Sequence, residues 1–595
     1  MSAVIDKPGS ARTAPASRDA GRALAAGVMI LAAILFFARL GARALWSSEF
    51  RWAEVAREMR LTGNYFWPTI NGRLYYDKPL ASYWLVLWAA DLTGSLNEAA
   101  ARIPCAVAGL AAVGLLMILA RRLYDWRTAA LSGLILATCM SFVFFSRTAS
   151  ADVETITGEL AALLLFISMR GPMGERSGGW WVVPLWLLMA LTSLTKGLLG
   201  FVLPIVVIGA YSCLTEGWHR LYGGGSVGSF SQRVNWLVSR NRWFFNWKSI
   251  PAIAVAGAIY AAPFAISSAK MGSGAGFYMV YRENVVRFFH PFDHRGPVYL
   301  YVYVIFALMA PWSALLPAAL AQAHRRQEHP EIDRFALVFF WATFVFFTLS
   351  GSRRSYYILP ILPAGAMLIA RLLVQRQDQI SPTAGRLLRL GYYALAVTIA
   401  ASAVLLLSPW MRPAQWRIYP ATPDRALFGL FWIACAAAVV YALRNFRPGA
   451  IAASVGIVAY LSMTYLYIFA MPATEQYRGE KPFGELISQR LQGDMAGLAF
   501  FRVEGPMFYM DTSEPVPMYD DPIALKSAIE TGGVRWVVAR TRDLDLLAVI
   551  GVPAGFDAAE ATFPWETEVR NKQVLLRARG GAVAPAGAVR KRAHS

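Results

Sequence analysis

Four short stretches of this chain place acids and bases beside long apolar runs, where charge is costly. Asp77 and Lys78 adjoin in NGRLYYDKPLASYW, and Asp152 and Glu154 stand close together in SRTASADVETITGE. Lys196 interrupts SLTKGLLGFVLP, and Arg353 and Arg354 are paired in SGSRRSYYILPILP, just ahead of Tyr356 and Tyr357. Lysine is a compact cation suited to a phosphate at a membrane surface, and Lys78 fits that use. A cation between two apolar runs, as at Lys196, needs an anionic partner. Adjacent arginines offer planar, multiple donors to an anion. Asp152 and Glu154 admit two readings: capping of the helix that follows, or acid–base chemistry.

Two further stretches are less specific. In YRENVVRFFHPFDHRGP, Arg282, Glu283, Asn284, Arg287, His290, Asp293 and His294 cluster, and the His290/Asp293/His294 spacing is compatible with metal ligation. In RALWSSEFRWAEVAREM, Trp52, Val55, Ala56 and Met59 recur at helical spacing, while Arg51, Glu54, Arg57, Glu58 and Arg60 fall on the other side. That pattern predicts an amphipathic helix lying in a membrane interface with its charges solvated. Glu49 precedes the helix and has no helical partner.

The elements that carry these residues are apolar. The chain has 595 residues, of which 56% are hydrophobic and 16% charged, and its mean hydropathy is +0.42. Soluble proteins average about 25% charged residues, so a polytopic membrane protein is expected. The net charge of +20 comes from Lys and Arg set in short runs between apolar segments, a membrane-orientation signal rather than a nucleic-acid face. The four cysteines, Cys105, Cys139, Cys213 and Cys435, are scattered singly and read as small buried hydrophobes. Ala42-Arg43-Ala44 resembles a signal-cleavage site, but Arg39 and the many later runs favour an uncleaved first helix.

Runs long enough to span at about 20 residues each occur near 24–42, 102–120, 128–146, 154–170, 180–196, 198–215 and 250–269. Others lie near 298–321, 335–350, 356–373, 390–409, 426–443 and 450–470. The stretch 80–92 is short, and counting it as a span would put the basic loops 121–127, 170–176, 216–249, 323–334, 371–389 and 444–447 outside. Treating it as re-entrant gives about thirteen spans, with the polar motifs on the outer face. The expected order is an inner tail (1–22), a membrane domain (23–472) with outer loops 43–101 and 270–297, and an outer α/β domain (473–580). In the last, LAFFRV, VRWVVAR and KQVLLRA read as strands and 521–531 as helix. The tail 581–595 reads as disordered.

Taken in order, the outer acid before RWAEVAREM, then YYDKPLASYW, TASADVETITGE, TKGLLGFVLP, RENVVRFF and SRRSYYILPILP, resemble the bacterial lipid A aminoarabinose transferases and their relatives, the protein O-mannosyltransferases. These are polyprenyl-phosphate-dependent glycosyltransferases of the GT-C fold. The resemblance implies a mainly α fold with about thirteen membrane helices and a small periplasmic α/β domain at the C-terminus. It also implies an enzyme of the bacterial inner membrane, with its active site on the periplasmic side.

By that resemblance the donor phosphate is held by Lys78, Lys196, Arg353, Arg354, Tyr356 and Tyr357, with Ser48, Arg51, Tyr75, Tyr76 and Arg287 completing the substrate site. Glu49, Asp77 and Asp152 would lie beside the anomeric carbon. A divalent cation (Zn, Mg or Mn) near Asp77, aided by His290 or His294, is implied as well. The expected partners are a polyprenyl-phosphate sugar, a lipid or glycan acceptor and membrane lipids, with no nucleic acid, and a monomer is expected. The family pattern has Asp-Glu where this chain has Ser48-Glu49. Glu49 takes the role of the Asp, or Asp152 is the principal acid, or no base is needed because the acceptor is a phosphate already ionised near neutral pH. Other readings are a protein O-glycosyltransferase, a transporter or flippase, and a subunit without catalysis. No internal repeat of the transporter kind is visible.

Overall fold

A computed structural model describes residues 15–46, 48–169, 179–214, 246–325, 330–407, 448–473, 475, 480–492, 495–510, 512–549, 551–552, 556–561 and 573–578, with isolated residues between 231 and 244 and between 429 and 441. The loops 170–176 and 216–249, the run 426–443 and the tails 1–14 and 581–595 lie wholly or largely outside the described residues. The chain divides into two compact units. The first comprises residues 1–42, 64–68 and 76–472, and the second 43–63, 69–75 and 473–595.

The first unit is helical. Helices occupy the apolar runs read from the sequence, among them Pro15–Phe37, Glu98–Leu123, Asp152–Met169, Val182–Lys196, Leu199–Leu214, Ser249–Met271 and Leu362–Val374. Among the described residues, Glu98–Leu123, Ser249–Met271 and Ala452–Ala473 are long and apolar enough to cross a membrane, and two bent pairs qualify if each counts as one span. The short stretch 80–92 forms the helix Ala81–Thr93, about 20 Å long at 1.5 Å per residue.

Two runs read as continuous are broken. Trp126–Thr138 and Met140–Ser146 meet at 70°, and Leu300–Leu308 and Trp312–Ala323 at 120°. The breaks satisfy each other, because Met140 N–H donates to the Ala310 carbonyl at 2.9 Å and Ser141 Oγ to the Leu308 carbonyl at 2.6 Å. Backbone groups freed inside an apolar protein need such partners. The apolar faces of these helices form one core that includes Phe142, Leu160, Trp312, Phe335 and Leu362.

The second unit contains a five-stranded sheet in the order β4-β3-β5-β7-β6. Its strands are β3 (Leu498–Phe501), β4 (Met518–Tyr519), β5 (Trp536–Arg540), β6 (Phe556–Ala561) and β7 (Gln573–Ala578). β3 runs parallel to β4 and β5, whereas β7 is antiparallel to β5 and β6. Side chains alternate between faces, so Leu498 and Phe500 join Phe483 and Ile487 on one side, while Ala499 and Phe501 join Leu525 and Leu547 on the other.

The helix Glu49–Thr62 and the hairpin of β1 (Thr69–Ile70) and β2 (Arg73–Leu74) belong to this unit. Asn71 and Gly72 have φ of +55° and +70°, the pair of positive angles that a two-residue type I′ turn demands. The hairpin is fixed from outside by Asn71, whose Oδ1 accepts the Val516 N–H at 2.7 Å and whose Nδ2 donates to the Val516 carbonyl.

The expectation that the charges of the helix Glu49–Thr62 are solvated is corrected by this packing. Glu54 and Glu58 are buried rather than solvated. Arg57 grips Glu54 through two hydrogen bonds of 2.9 and 2.7 Å and donates to the Thr512 carbonyl. Glu58 accepts from the Thr69 hydroxyl and from the Asn71 and Gly72 N–H groups. A carboxylate can be buried where protein donors replace water, and the hairpin supplies them.

Candidate active site

In the first unit, the residues before and after four helix ends converge. Asp152 opens the helix Asp152–Met169. The loop ahead of it is pinned by Arg147, which donates to the carbonyls of Leu35, Phe36 and Ala38 at 2.6–3.1 Å, and by Cys105 Sγ, which contacts the Ser150 carbonyl at 3.1 Å and Glu154 Oε1 at 3.3 Å. The Asp152 carboxylate is ion-paired with Lys196, the last residue of Val182–Lys196. Asp152 thus has a charged partner beyond its own helix.

Lys196 Nζ also lies 5.7 Å from the centroid of the Tyr357 ring. The Tyr357 hydroxyl accepts a long hydrogen bond from Arg287 at 3.5 Å. Arg287 is held by Glu283 at 2.9 Å and by Asp293 at 3.0 Å, and its guanidinium stacks on Phe292 at 4.8 Å. Asp293 in turn reaches His294 Nε2 at 3.2 Å. Asp77 and Lys78 form their own pair at 2.8 Å and act electrostatically on Glu283, with Lys78 also felt at His294.

Burial and charge set the protonation states around this cluster. Burial pushes the Glu283 carboxyl up, and Arg287 opposes that shift. Burial and the neighbouring Arg354 hold His294 below the usual imidazole range, so it is neutral at pH 7. The Tyr357 hydroxyl is pushed up to about 12 by burial, against Arg287 and Arg354. It therefore stays a proton donor.

The paired arginines separate. Arg354 is exposed and donates to the Tyr356 hydroxyl at 2.7 Å. Arg353 is committed to backbone carbonyls, with two bonds to Thr348 at 3.0 and 3.2 Å and one to Gly296 at 3.0 Å. Its own N–H donates to the His294 carbonyl at 2.7 Å. Arg353 thus fastens the 290–297 loop to the 350–354 loop. Tyr356 packs on Phe145 at 5.3 Å.

Of the residues expected to form the site, Asp77, Lys78, Asp152, Lys196, Arg287, Arg354 and Tyr357 converge. Tyr76 packs instead against Trp67 and Phe264 at 6.4 and 6.1 Å, and burial pushes its hydroxyl up to about 12. Ser48, Glu49, Arg51 and Tyr75 belong to the second unit. There Ser48 is exposed, whereas Glu49 is buried and accepts the Trp46 N–H at 3.2 Å. Arg51 donates to the Tyr75 hydroxyl at 3.0 Å and pairs with Glu504 at 3.4 Å. Glu283 and Asp293 were visible in the motif, but their role as holders of Arg287 was not. The i−4 offset of Glu283 from Arg287 was the available signal, and Asp293 had none.

Among the described residues no three His, Cys, Asp or Glu side chains are grouped to hold a metal ion. Asp77 carries Lys78, His290 is exposed, and His294 faces Asp293 and three cations.

Several known proteins resemble this chain. Residues 77–223 match the family described as dolichyl-phosphate-mannose-protein mannosyltransferase. The undecaprenyl phosphate-alpha-4-amino-4-deoxy-L-arabinose arabinosyl transferase of Erwinia tasmaniensis is 28% identical over 422 residues, covering 69% of this chain and 70% of that protein. A protein of the same name from Pseudomonas aeruginosa is 27% identical over 453 residues, covering 71% and 77%. The crystal structure of ArnT from Cupriavidus metallidurans bound to undecaprenyl phosphate aligns over 96% of this chain and 99% of that one, with a TM-score of 0.67 and 20% identity. Its apo form gives 0.68 over 94% and 98%. The chain has the GT-C fold and resembles the undecaprenyl-phosphate aminoarabinose transferases and the protein mannosyltransferases.

Proposed function

We propose that this protein is a membrane glycosyltransferase that moves a sugar from a polyprenyl-phosphate donor to a lipid A-like or other envelope acceptor. The observation that carries the reading is the convergence of Lys78, Lys196 and Arg287 on the acids Asp77, Asp152 and Glu283, with Arg354 beside His294 and Tyr357. In the transfer, the bond between the anomeric carbon and the phosphate oxygen breaks, and its electron pair stays on that oxygen. The acceptor oxygen forms the new bond to the same carbon. The leaving polyprenyl phosphate gains negative charge, and fixed cations stabilise charge that develops in the transition state.

Asp152 is neutralised by Lys196 in the free protein. Donor phosphate competes for that ammonium and releases the carboxylate toward the sugar. With a hydroxyl acceptor, Asp152 takes its proton, a contribution of about 10²–10⁴-fold. With a phosphate acceptor, ionised at neutral pH, Asp152 stabilises the cationic sugar instead. Asp77 and the Tyr356 and Tyr357 hydroxyls are proposed substrate contacts. About thirteen spans in the bacterial inner membrane, with the site on the periplasmic side, are the reading that the apolar runs and basic loops of the sequence support.

The test is incubation of the purified protein with a polyprenyl-phosphate sugar. Polyprenyl phosphate is released by the parent protein and not by Asp152→Asn, whereas transport of the intact donor without cleavage would sink the reading. The family description matched by residues 77–223 favours a second acceptor, protein hydroxyls. Labelled sugar recovered on protein rather than on lipid or glycan would select it.

A further inference from the structure

The turn that carries Lys196 is held by a side chain with no part in the chemistry above. The helix Val182–Lys196 stops at Gly197, whose φ of +115° and ψ of −164° lie in a region open essentially to glycine alone. The next backbone N–H, of Leu198, would be left without a helical partner. It donates to Asn284 Oδ1 at 2.8 Å. The other end of the same amide is fixed too, since Asn284 Nδ2 donates to the Val280 carbonyl at 2.9 Å. The fit is close, because a Cβ on Gly197 would come within 2.7 Å of Asn284 Oδ1.

Asn284 sits in the π-helical turn Tyr281–Val286, a type of irregularity frequent at functional sites. Glu283, its neighbour in that turn, holds Arg287 at 2.9 Å. On the opposite side of the break, Ser82 Oγ donates to the Thr195 carbonyl at 2.7 Å. One turn therefore addresses two cations: Glu283 orients Arg287, and Asn284 fixes the backbone from which Lys196 projects.

We propose that Asn284 is a positioning residue that sets the Lys196 ammonium for the donor phosphate, an inference that rests on the glycosyltransferase reading. It acts through the Gly197–Leu198 turn and touches neither sugar nor phosphate. In Asn284→Ala the Leu198 N–H loses its acceptor, and Lys196 is no longer held at one place.

The experiment is a double-mutant cycle in the purified full-length protein, with Lys196→Ala, Asn284→Ala and the pair. It reads the donor KM, kcat, the melting temperature and binding of undecaprenyl phosphate alone. Asn284→Ala is expected to raise the donor KM and weaken undecaprenyl phosphate binding about tenfold, the scale of one hydrogen bond, with kcat within about threefold and a fall in melting temperature no larger than one stranded N–H gives. In the Lys196→Ala background the same substitution adds nothing. Additive losses, or a fall in melting temperature and kcat with KM unmoved, would overturn the proposal and leave Asn284 a fold contact. If Lys196→Ala itself leaves donor binding unchanged, the phosphate role of Lys196 fails and the inference falls with it. If Lys196→Ala is impaired and Asn284→Ala is not, only the role of Asn284 fails.

Discussion

The helix Glu49–Thr62 and the Asp152–Lys196 cluster both gather acids and bases in little space, yet the structure uses them differently. Around Glu58 the partners are two backbone N–H groups and a hydroxyl from the adjoining hairpin. Glu54 is closed off by a two-point grip from Arg57. Around Asp152 the partner is a single lysine ammonium, itself beside a tyrosine face and partly open to solvent. Backbone donors cannot leave, so Glu58 is a fixed part of the fold. A lysine on a flexible stem can change partners, so Asp152 is poised for exchange. Charge density alone does not separate a scaffold from a site. The mobility of the partner does.

The contrast breaks most sharply on turnover. Asp152→Asn is expected to cut release of polyprenyl phosphate by about 10²–10³-fold, the scale of a lost electrostatic or proton-transfer group, while the melting temperature stays near that of the parent. Glu58→Leu should do the opposite. It strands the Asn71 and Gly72 N–H groups, at a cost of about 2–3 kcal/mol, read as a lower melting temperature and faster proteolysis between 62 and 75. A Glu58 variant that unfolds no sooner than the parent would erase the distinction.

The arginine pair sharpens the same contrast within one dipeptide. Arg353→Ala should destabilise by about 1–3 kcal/mol through the stranded Thr348 and Gly296 carbonyls, with donor KM unchanged in the molecules that remain folded. Arg354→Ala should leave stability alone and raise donor KM by about fivefold, the worth of one charge pair in a solvated setting. Equal effects in both assays would show that the two side chains share one role.

The smallest effect concerns pH. His294 is held below the usual imidazole range and faces Lys78, Arg287, Arg354, Asp293 and Tyr357. It gains a proton only as pH falls below that range, and the new cation then favours an anionic donor. Donor KM should therefore drop by about fivefold or less on acidification, and His294→Gln should abolish the change. A pH dependence of KM that survives this substitution would assign it to another group.

Helix positions were legible because apolar runs announce themselves, and so were β3, β5, β7 and the helix Pro522–Glu530, each carried by its own local pattern. The Lys78, Asp152 and Lys196 placements followed from charge at the edge of apolar segments. What stayed hidden depends on distant partners. Nothing near Glu58 reveals that Thr69, Asn71 and Gly72 will satisfy it, although the Asn71-Gly72 dipeptide was a readable turn signal. Adjacent arginines look equivalent in sequence, and only the carbonyls of Thr348 and Gly296 tell Arg353 from Arg354. The break at Cys139 was missed because its run is continuously apolar, whereas Pro311 was a readable signal for the other, and each break is satisfied through the other's backbone.

The hairpin clasp of Asn71 on Val516 spans 445 residues of chain. At a synthesis rate of about 5–20 residues per second, the early half of that clasp waits roughly 20–90 s for its other half to be made. Through that interval Glu54 and Glu58 already have Arg57 and the hairpin as partners, but Arg57 lacks the Thr512 carbonyl and Asn71 lacks the Val516 backbone. The last fifth of the polypeptide therefore decides when one of the first loops is finished. A stop codon between residues 472 and 512 would remove the Thr512 and Val516 partners of Arg57 and Asn71 and so leave its mark near residue 58.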